Sequence, residues 1–331
     1  MNDLPNFRRL MITMVGASLL ALPVLSQAQA QAQAWPTRQP IKLVAVFPPG
    51  GSVDQVARVL APVLQQALGQ TVVVENKGGA SGSVGTGQVV ASAPDGYTFA
   101  VVFDTHAVNP SLQPNLAFDT RRDLAAVALV GTGAMVLATH ADTPYKSFAD
   151  VVAAAKAGKN LSYGSIGSGS LGHLAMAQLA RTAQADLVNV PYRGGGPLMN
   201  DAIAGHVPLS VGSVFLSKPH IDSKRLRALV VTTSKRTPNL PDVPTLAESG
   251  YLGFDAPAWW AVLAPAKTPP EIVQRMNAEI TKALKQPDVA AKLTAQGIDI
   301  STGTPAAAQA FIERQIDIWA KVVKEHGIKA D

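Results

Sequence analysis

The sequence predicts an α/β protein of two lobes, and three observations carry that expectation. The first is the stretch IKLVAVFPPGGSVDQVAR over residues 41–58. Its apolar run to Phe47 reads as a buried strand, Pro48-Pro49-Gly50-Gly51 stops it, and Val53, Val56, Leu60, Val63 and Leu64 form one helical stripe behind. The second is that this strand, glycine loop and helix unit recurs along the chain, which argues for parallel sheets covered by helices. The third is a pair of apolar stretches, 124–139 and 254–263, that read as strands crossing between lobes.

The composition agrees. A chain of 331 residues has room for two cores, and 47% hydrophobic with 15% charged residues describes a globular protein. The charge of +5 is modest, and Lys156, Lys159, Lys218, Lys224, Arg225 and Arg227 are interrupted by apolar residues, which argues against a nucleic-acid face. The absence of cysteine removes disulfides, thiolate nucleophiles and zinc–thiolate sites.

Residues 1–34 read as a secretory leader. Arg8-Arg9 is a short basic segment, residues 10–25 are apolar but short for a membrane span, and small-x-small sites end at Ala30, Ala32 and Ala34. Cleavage within the Gln-Ala repeat and export of the mature chain are expected; a retained membrane anchor is the alternative, and the arginine pair admits twin-arginine export.

Taken in order, the first strand and helix are those above, with Ser52 as the expected N-cap and Pro62 as a kink or a solvent-side position. The second strand, 71–75, runs into a glycine-rich turn, Asn76 to Gly82, and a small-residue helix to about 93. The third strand, 97–104, ends in a turn at Thr105-His106. After the crossing at 124–139 come a helix over 148–157, a strand over 161–166, the loop Gly167-Ser168-Gly169-Ser170-Leu171-Gly172 and a helix over 173–182. The strand 187–190 ends in Pro191-Tyr192-Arg193-Gly194-Gly195-Gly196-Pro197, where Pro197 suits the first turn of a helix to 204. Strands over 207–214 and 226–233, a short helix over 245–249 and amphipathic helices over 269–285 and 305–326 complete the chain. The expected division is a leader at 1–34, a first lobe of 35–140 plus 256–331, and a second lobe of 141–255.

Helix N-termini set behind glycine loops present free N–H groups and partial positive charge, so the device suits an anion. The segments FPPGGSVDQVAR, VENKGGASGSVG, THAVNPSL, LSYGSIGSGSLGHL, VPYRGGGPLMNDAIAGHV, LPDVPTLAES and APAWWAVLAPAKTPPEIV go further. Through them the chain, from 35 to about 300, resembles the periplasmic solute receptors of tripartite tricarboxylate transporters, the Bug-type receptors. The resemblance implies a type II-like Venus flytrap with two crossing strands, and a monomeric, non-enzymatic receptor that uses no cofactor. Such a receptor would carry a small carboxylate to membrane permease subunits.

Carried over residue by residue, the resemblance places Phe47, Pro48, Gly50, Gly51, Ser52 and Asp54 at the ligand in the first lobe, with Thr105 and His106 closing that side. In the second lobe it places Ser165, Gly167, Ser168, Gly169 and Ser170, beside Tyr192, Arg193 and Gly194. Asp54 also suits its helix dipole without any ligand, and His106 and His173 also suit packing or capping. Arg193 is read as a salt bridge to the ligand or as an inter-loop ion pair. Trp259-Trp260 is read as hinge packing or as a platform for an aromatic ligand. Many family members carry an Asp near Gly212, which would suit a ligand ammonium. Here 207–213 reads VPLSVGS, which favours a dicarboxylate or an aromatic carboxylate over an amino acid.

The rival reading is an NADP-dependent oxidoreductase, since Gly167 to Gly172 is a literal G-x-G-x-x-G after a strand and before a helix. No acid follows the next strand to hold a ribose. No G-x-S-x-G elbow, H-E-x-x-H motif or metal spacing of the six histidines is present.

Overall fold

The computed structural model describes residues 35–253 and 255–328. The expected leader and its cleavage site lie outside the described residues, as does Phe254. The first lobe opens with β1 (Ile41–Ala45), α1 (Ser52–Leu68), β2 (Val72–Asn76), α2 (Ser83–Val90), β3 (Thr98–Phe103), α3 (Thr105–Leu112) and β4 (Leu124–Gly133). The second lobe follows with β5 (Met135–His140), α4 (Phe148–Lys156), β6 (Leu161–Ser165), α5 (Leu171–Ala183) and β7 (Leu187–Pro191). It continues through α6 (Gly195–Ala204), β8 (Leu209–Ser213), α7 (Val214–Asp222) and β9 (Leu226–Val231). The chain returns through β10 (Ala258–Pro265) to α8 (Pro270–Leu284), α9 (Pro287–Thr294), β11 (Asp299–Ile300) and α10 (Pro305–His326).

Each lobe is built on one sheet. The first has the order β11-β4-β10-β3-β1-β2 and the second β7-β6-β8-β5-β9. In both, a parallel trio from successive strand–helix units meets an antiparallel strand delivered by a crossing. That strand is β10, between β3 and β4, in the first sheet and β5, between β8 and β9, in the second. The two lobes therefore repeat one topology and exchange one strand each, which is the two-lobed flytrap architecture. Among the described residues no helix is long and apolar enough to cross a membrane.

Apolar periodicity accounts for most of the packing. Val53, Val56, Leu60 and Leu64 of α1 are buried, while Pro62 faces solvent, where its missing N–H is tolerated. Trp259 and Trp260 on β10 are both fully buried and point to opposite faces of the sheet, as strand alternation requires. Trp259 meets Phe311 of α10 edge-on at 5.8 Å. Trp260 packs on Phe103 at 5.1 Å and on Phe215 of α7 at 5.7 Å, so its ring joins the two lobes. Neither ring is open to an aromatic ligand.

Several expectations change. The expected first segment runs to residue 140, and its last strand, β5, pairs with β8 and β9 of the second sheet, with Ala134 between the crossing strands β4 and β5. Gly51, not Ser52, caps α1; Ser52 is its first residue, and its hydroxyl accepts the Trp260 indole N–H at 3.1 Å. Residues 245–249 form a turn instead of a helix. Thr245 and Glu248 do bond reciprocally as a capping box, but Gly250, at φ +91°, stops the chain before a second turn. Helix α7 was not foreseen, because Val214-Phe215-Leu216 prolongs an apolar strand and Pro219 interrupts the helical pattern.

Candidate functional site

The loop from Phe47 to Gly51 is fixed from within its own lobe. Asp54, buried in the first turn of α1, accepts the Gly50 amide at 3.0 Å, Arg58 Nε at 2.9 Å and Asn76 Nδ2 at 2.9 Å, while Asn76 also donates to the Phe47 carbonyl. Burial alone would raise the Asp54 pKa; the bonds from Arg58, Gly50 and Asn76 outweigh it and hold the carboxylate below its ordinary range. Asp54 thus braces the loop, and the Gly50 amide is engaged within it.

The second lobe brings two glycine-flanked helix starts to the cleft, and they differ. α5 is capped by its own Ser170, whose Oγ accepts the His173 amide at 3.3 Å, and the Gly169 amide is spent on His173 Nδ1 at 3.0 Å. Ser165 donates to the Gly167 carbonyl. α6 has no side-chain cap, and neither has α1. These two uncapped starts face each other: a Cβ at Gly51 would lie 3.6 Å from the Gly196 nitrogen and 3.7 Å from that of Gly195. Sequence reasoning saw the glycine triplet but not that α6, more than α5, opposes α1.

Beside this contact lies a cleft of about 570 Å³. It gathers Pro48, Gly167, Ser168, Tyr192 and Arg193 from the expected set, and adds Pro49, Asn76, Ile166 and the loop Gly78–Ser81. Arg193 is the charged residue among those lining it, and its side chain makes no ion pair among the described residues. The Tyr192 ring lines the cleft, but its hydroxyl donates to Asp201 at 2.8 Å; burial and that carboxylate push its pKa up to about 12. A second, small space of about 10 Å³ touches Phe47, Gly51, Ser52, Phe103, Gly195 and Ser213 and shares Ile166 with the cleft. The Ser213 hydroxyl is buried there without a partner among the described residues, and no motif pointed to it. Gly194 caps α6 against Pro48 and Phe47.

Thr105 and His106 do not line the cleft. They begin α3, both buried, and the His106 ring stacks on Phe118 at 6.4 Å with neither nitrogen partnered. Burial pushes the His106 pKa down to about 4. The unfolded chain then binds a proton near pH 6.5 that the folded chain refuses until about pH 4, so acidification across that window favours unfolding by roughly 3 kcal/mol. Thermal melts of wild type and His106→Leu should diverge between those limits, the wild type losing more; parallel curves would contradict the assignment. Burial raises the neighbouring Asp104 carboxyl, whose effect has the opposite sign and is common to both proteins.

The loop that resembles a dinucleotide fingerprint is covered by the first lobe. A Cβ at Gly167 would lie 2.9 Å from Ser81 Oγ, and one at Gly169 3.0 Å from Leu112 Cδ1.

Residues 56–328 match the model of a family described as tripartite tricarboxylate transporter family receptor. BugT of Bordetella pertussis is 38% identical over 305 residues, covering 91% of this chain and 93% of BugT. Among solved structures, Rpa4515 of R. palustris with adipate is similar at 34% identity and a TM-score of 0.85, covering 89% of this chain and 99% of the other. MatC of Rhodopseudomonas palustris with bound malate is similar at 30% identity and a TM-score of 0.83, covering 87% and 99%.

Proposed function

Because the chain belongs to the tripartite tricarboxylate transporter receptor family, we propose that it captures a small dicarboxylate between its lobes in the periplasm and hands it to the permease of such a transporter. The family is one of receptors, not enzymes, and the dehydrogenase reading is set aside. The lobes that close are 35–133 with 258–328, and 135–256. The receptor acts as a monomer, exported by the leader expected at 1–34.

The observation that carries this reading is the meeting of two uncapped helix starts beside a cleft whose charged lining residue is Arg193. Each helix start carries roughly half a positive charge, so an anion set between α1 and α6 is favoured by both. A carboxylate there is differential binding energy for the closed state, which is what shifts an open–closed balance. Contacts are expected from the amides of Gly51, Ser52, Gly167, Ser168 and Gly194 and from the Arg193 guanidinium, with Phe47, Pro48 and Tyr192 as walls. Asp54, Gly50, Ser165, Gly169, Ser170, Thr105 and His106 are supporting groups.

Dicarboxylates are favoured over aromatic acids because the two tryptophans are shut in the core, and because the similar proteins above hold adipate and malate. The test is calorimetry against malate, succinate, adipate, benzoate and neutral sugars. At least one aliphatic dicarboxylate should bind, and Arg193→Gln should weaken it about ten- to a hundredfold, the value of a charge-assisted bond. Binding of sugars alone, or full affinity in Arg193→Gln, would contradict the proposal.

A further inference from the structure

We propose that Ser81 is a latch holding the lobes shut, and that Asn109 and Gln113 are positioning residues that keep it set. The idea rests on the reading that the lobes open and close, and not on the identity of any ligand.

The loop before α2 has an unusual backbone. Gly79, Ala80, Ser81 and Gly82 have φ of +139°, +44°, +51° and +88° in succession. Two of these four are not glycine, in a region that L side chains disfavour and that proteins retain where surrounding bonds impose it. The imposing bonds come from α3 and the residue that ends it. Gln113 Nε2 donates to the Ala80 carbonyl at 2.9 Å and to Asn109 Oδ1 at 3.0 Å, and Asn109 Nδ2 donates to the Ser81 carbonyl at 3.1 Å. Ser83 Oγ adds a bond to the Ala80 carbonyl at 2.8 Å.

The strained residue then makes a bond across the cleft. Ser81 Oγ donates to the Ser168 carbonyl of the second lobe at 2.8 Å. Gly167 makes room for it, since a Cβ there would stand 2.9 Å from that same oxygen. An unstrained loop would cost less within its lobe, yet this one is held where its hydroxyl reaches the partner lobe. The bond can exist only when the lobes touch, so its free energy counts entirely toward the closed state.

The experiment reads lobe separation in ligand-free protein by distance measurement between two spin labels. They are attached to cysteines introduced on an exposed helix of each lobe, the chain having none of its own. Ser81→Gly should lower the closed-to-open ratio about two- to tenfold, the span expected of one hydrogen bond. Its Tm should hold or rise, because glycine relieves the left-handed backbone. Gln113→Ala should open the cleft in the same direction without touching the second lobe. Ser81→Ala should also open it; if that variant does not fold, Ser81→Gly alone decides. A closed fraction in Ser81→Gly equal to wild type, or one that falls only with a matching loss of Tm, overturns the proposal. A protein that binds no acid at all would still give either answer.

Discussion

Gly196→Ala is expected to leave the protein folded, with a Tm equal to or slightly above wild type, and to weaken dicarboxylate binding about ten- to a hundredfold. Gly196 lies inside the first turn of α6 with an ordinary helical backbone, where alanine is the better helix former by roughly 0.5–1 kcal/mol. Within its own lobe the change therefore costs nothing. Across the cleft, a Cβ would lie 2.5 Å from the Pro49 carbonyl oxygen and 3.4 Å from the Gly50 carbonyl carbon. Both are backbone atoms in a loop braced by Asp54 and Asn76, so neither can turn away, and the closed state must loosen. Calorimetry for binding and a thermal melt for stability separate the two effects. Full affinity with an unchanged melt would show that α1 and α6 do not need to approach. The same experiment at Gly169 is less clean, because its φ of +75° makes any side chain strain the second lobe itself.

Trp260→Ala carries the largest stability effect. The ring is fully buried, packs on Phe103 of one lobe and Phe215 of the other, and bonds Ser52 at the start of α1. Loss of a buried tryptophan costs about 3–5 kcal/mol, which for a chain of this size is a fall in Tm of roughly 4–8 °C. Trp259→Ala should cost a similar amount of stability, since that ring is buried against α10. It should leave the lobe contact alone, because Trp259 faces away from Phe215. A Tm within a degree or two of wild type for Trp260→Ala would mean that this cluster does not hold the core.

How far the sequence spoke for itself differs from one element to the next. The β1–α1 unit was legible because local chemistry decides it: an apolar strand, a Pro-Gly stop and a clean helical stripe. The paired crossings were legible as long apolar runs, but the sheet that β5 joins was not, since strand pairing, and not hydrophobicity, assigns it to the second. In the site, the loops were found and several roles were not. Asp54 at a helix start suits a ligand water or a brace equally well, and the brace shows only once Arg58 and Asn76 are placed beside it. Ser81 carried no signal, because a non-glycine residue at φ +51° contradicts propensity and is imposed by α3 and Gln113. Ser213 and His106 are set apart by burial without partners, which is a property of packing.

The central claim is that two facing helix starts and the Arg193 guanidinium grip a single carboxylate and so shut the lobes. A crystal structure grown with adipate or malate tests it most directly. The account predicts one carboxylate between Gly51-Ser52 and Gly194, its oxygens about 2.7–3.1 Å from their amides and from Arg193, with the lobes in contact through Gly51 and Gly196. Acid bound elsewhere on the chain, or held in the cleft with α1 and α6 far apart, would contradict it.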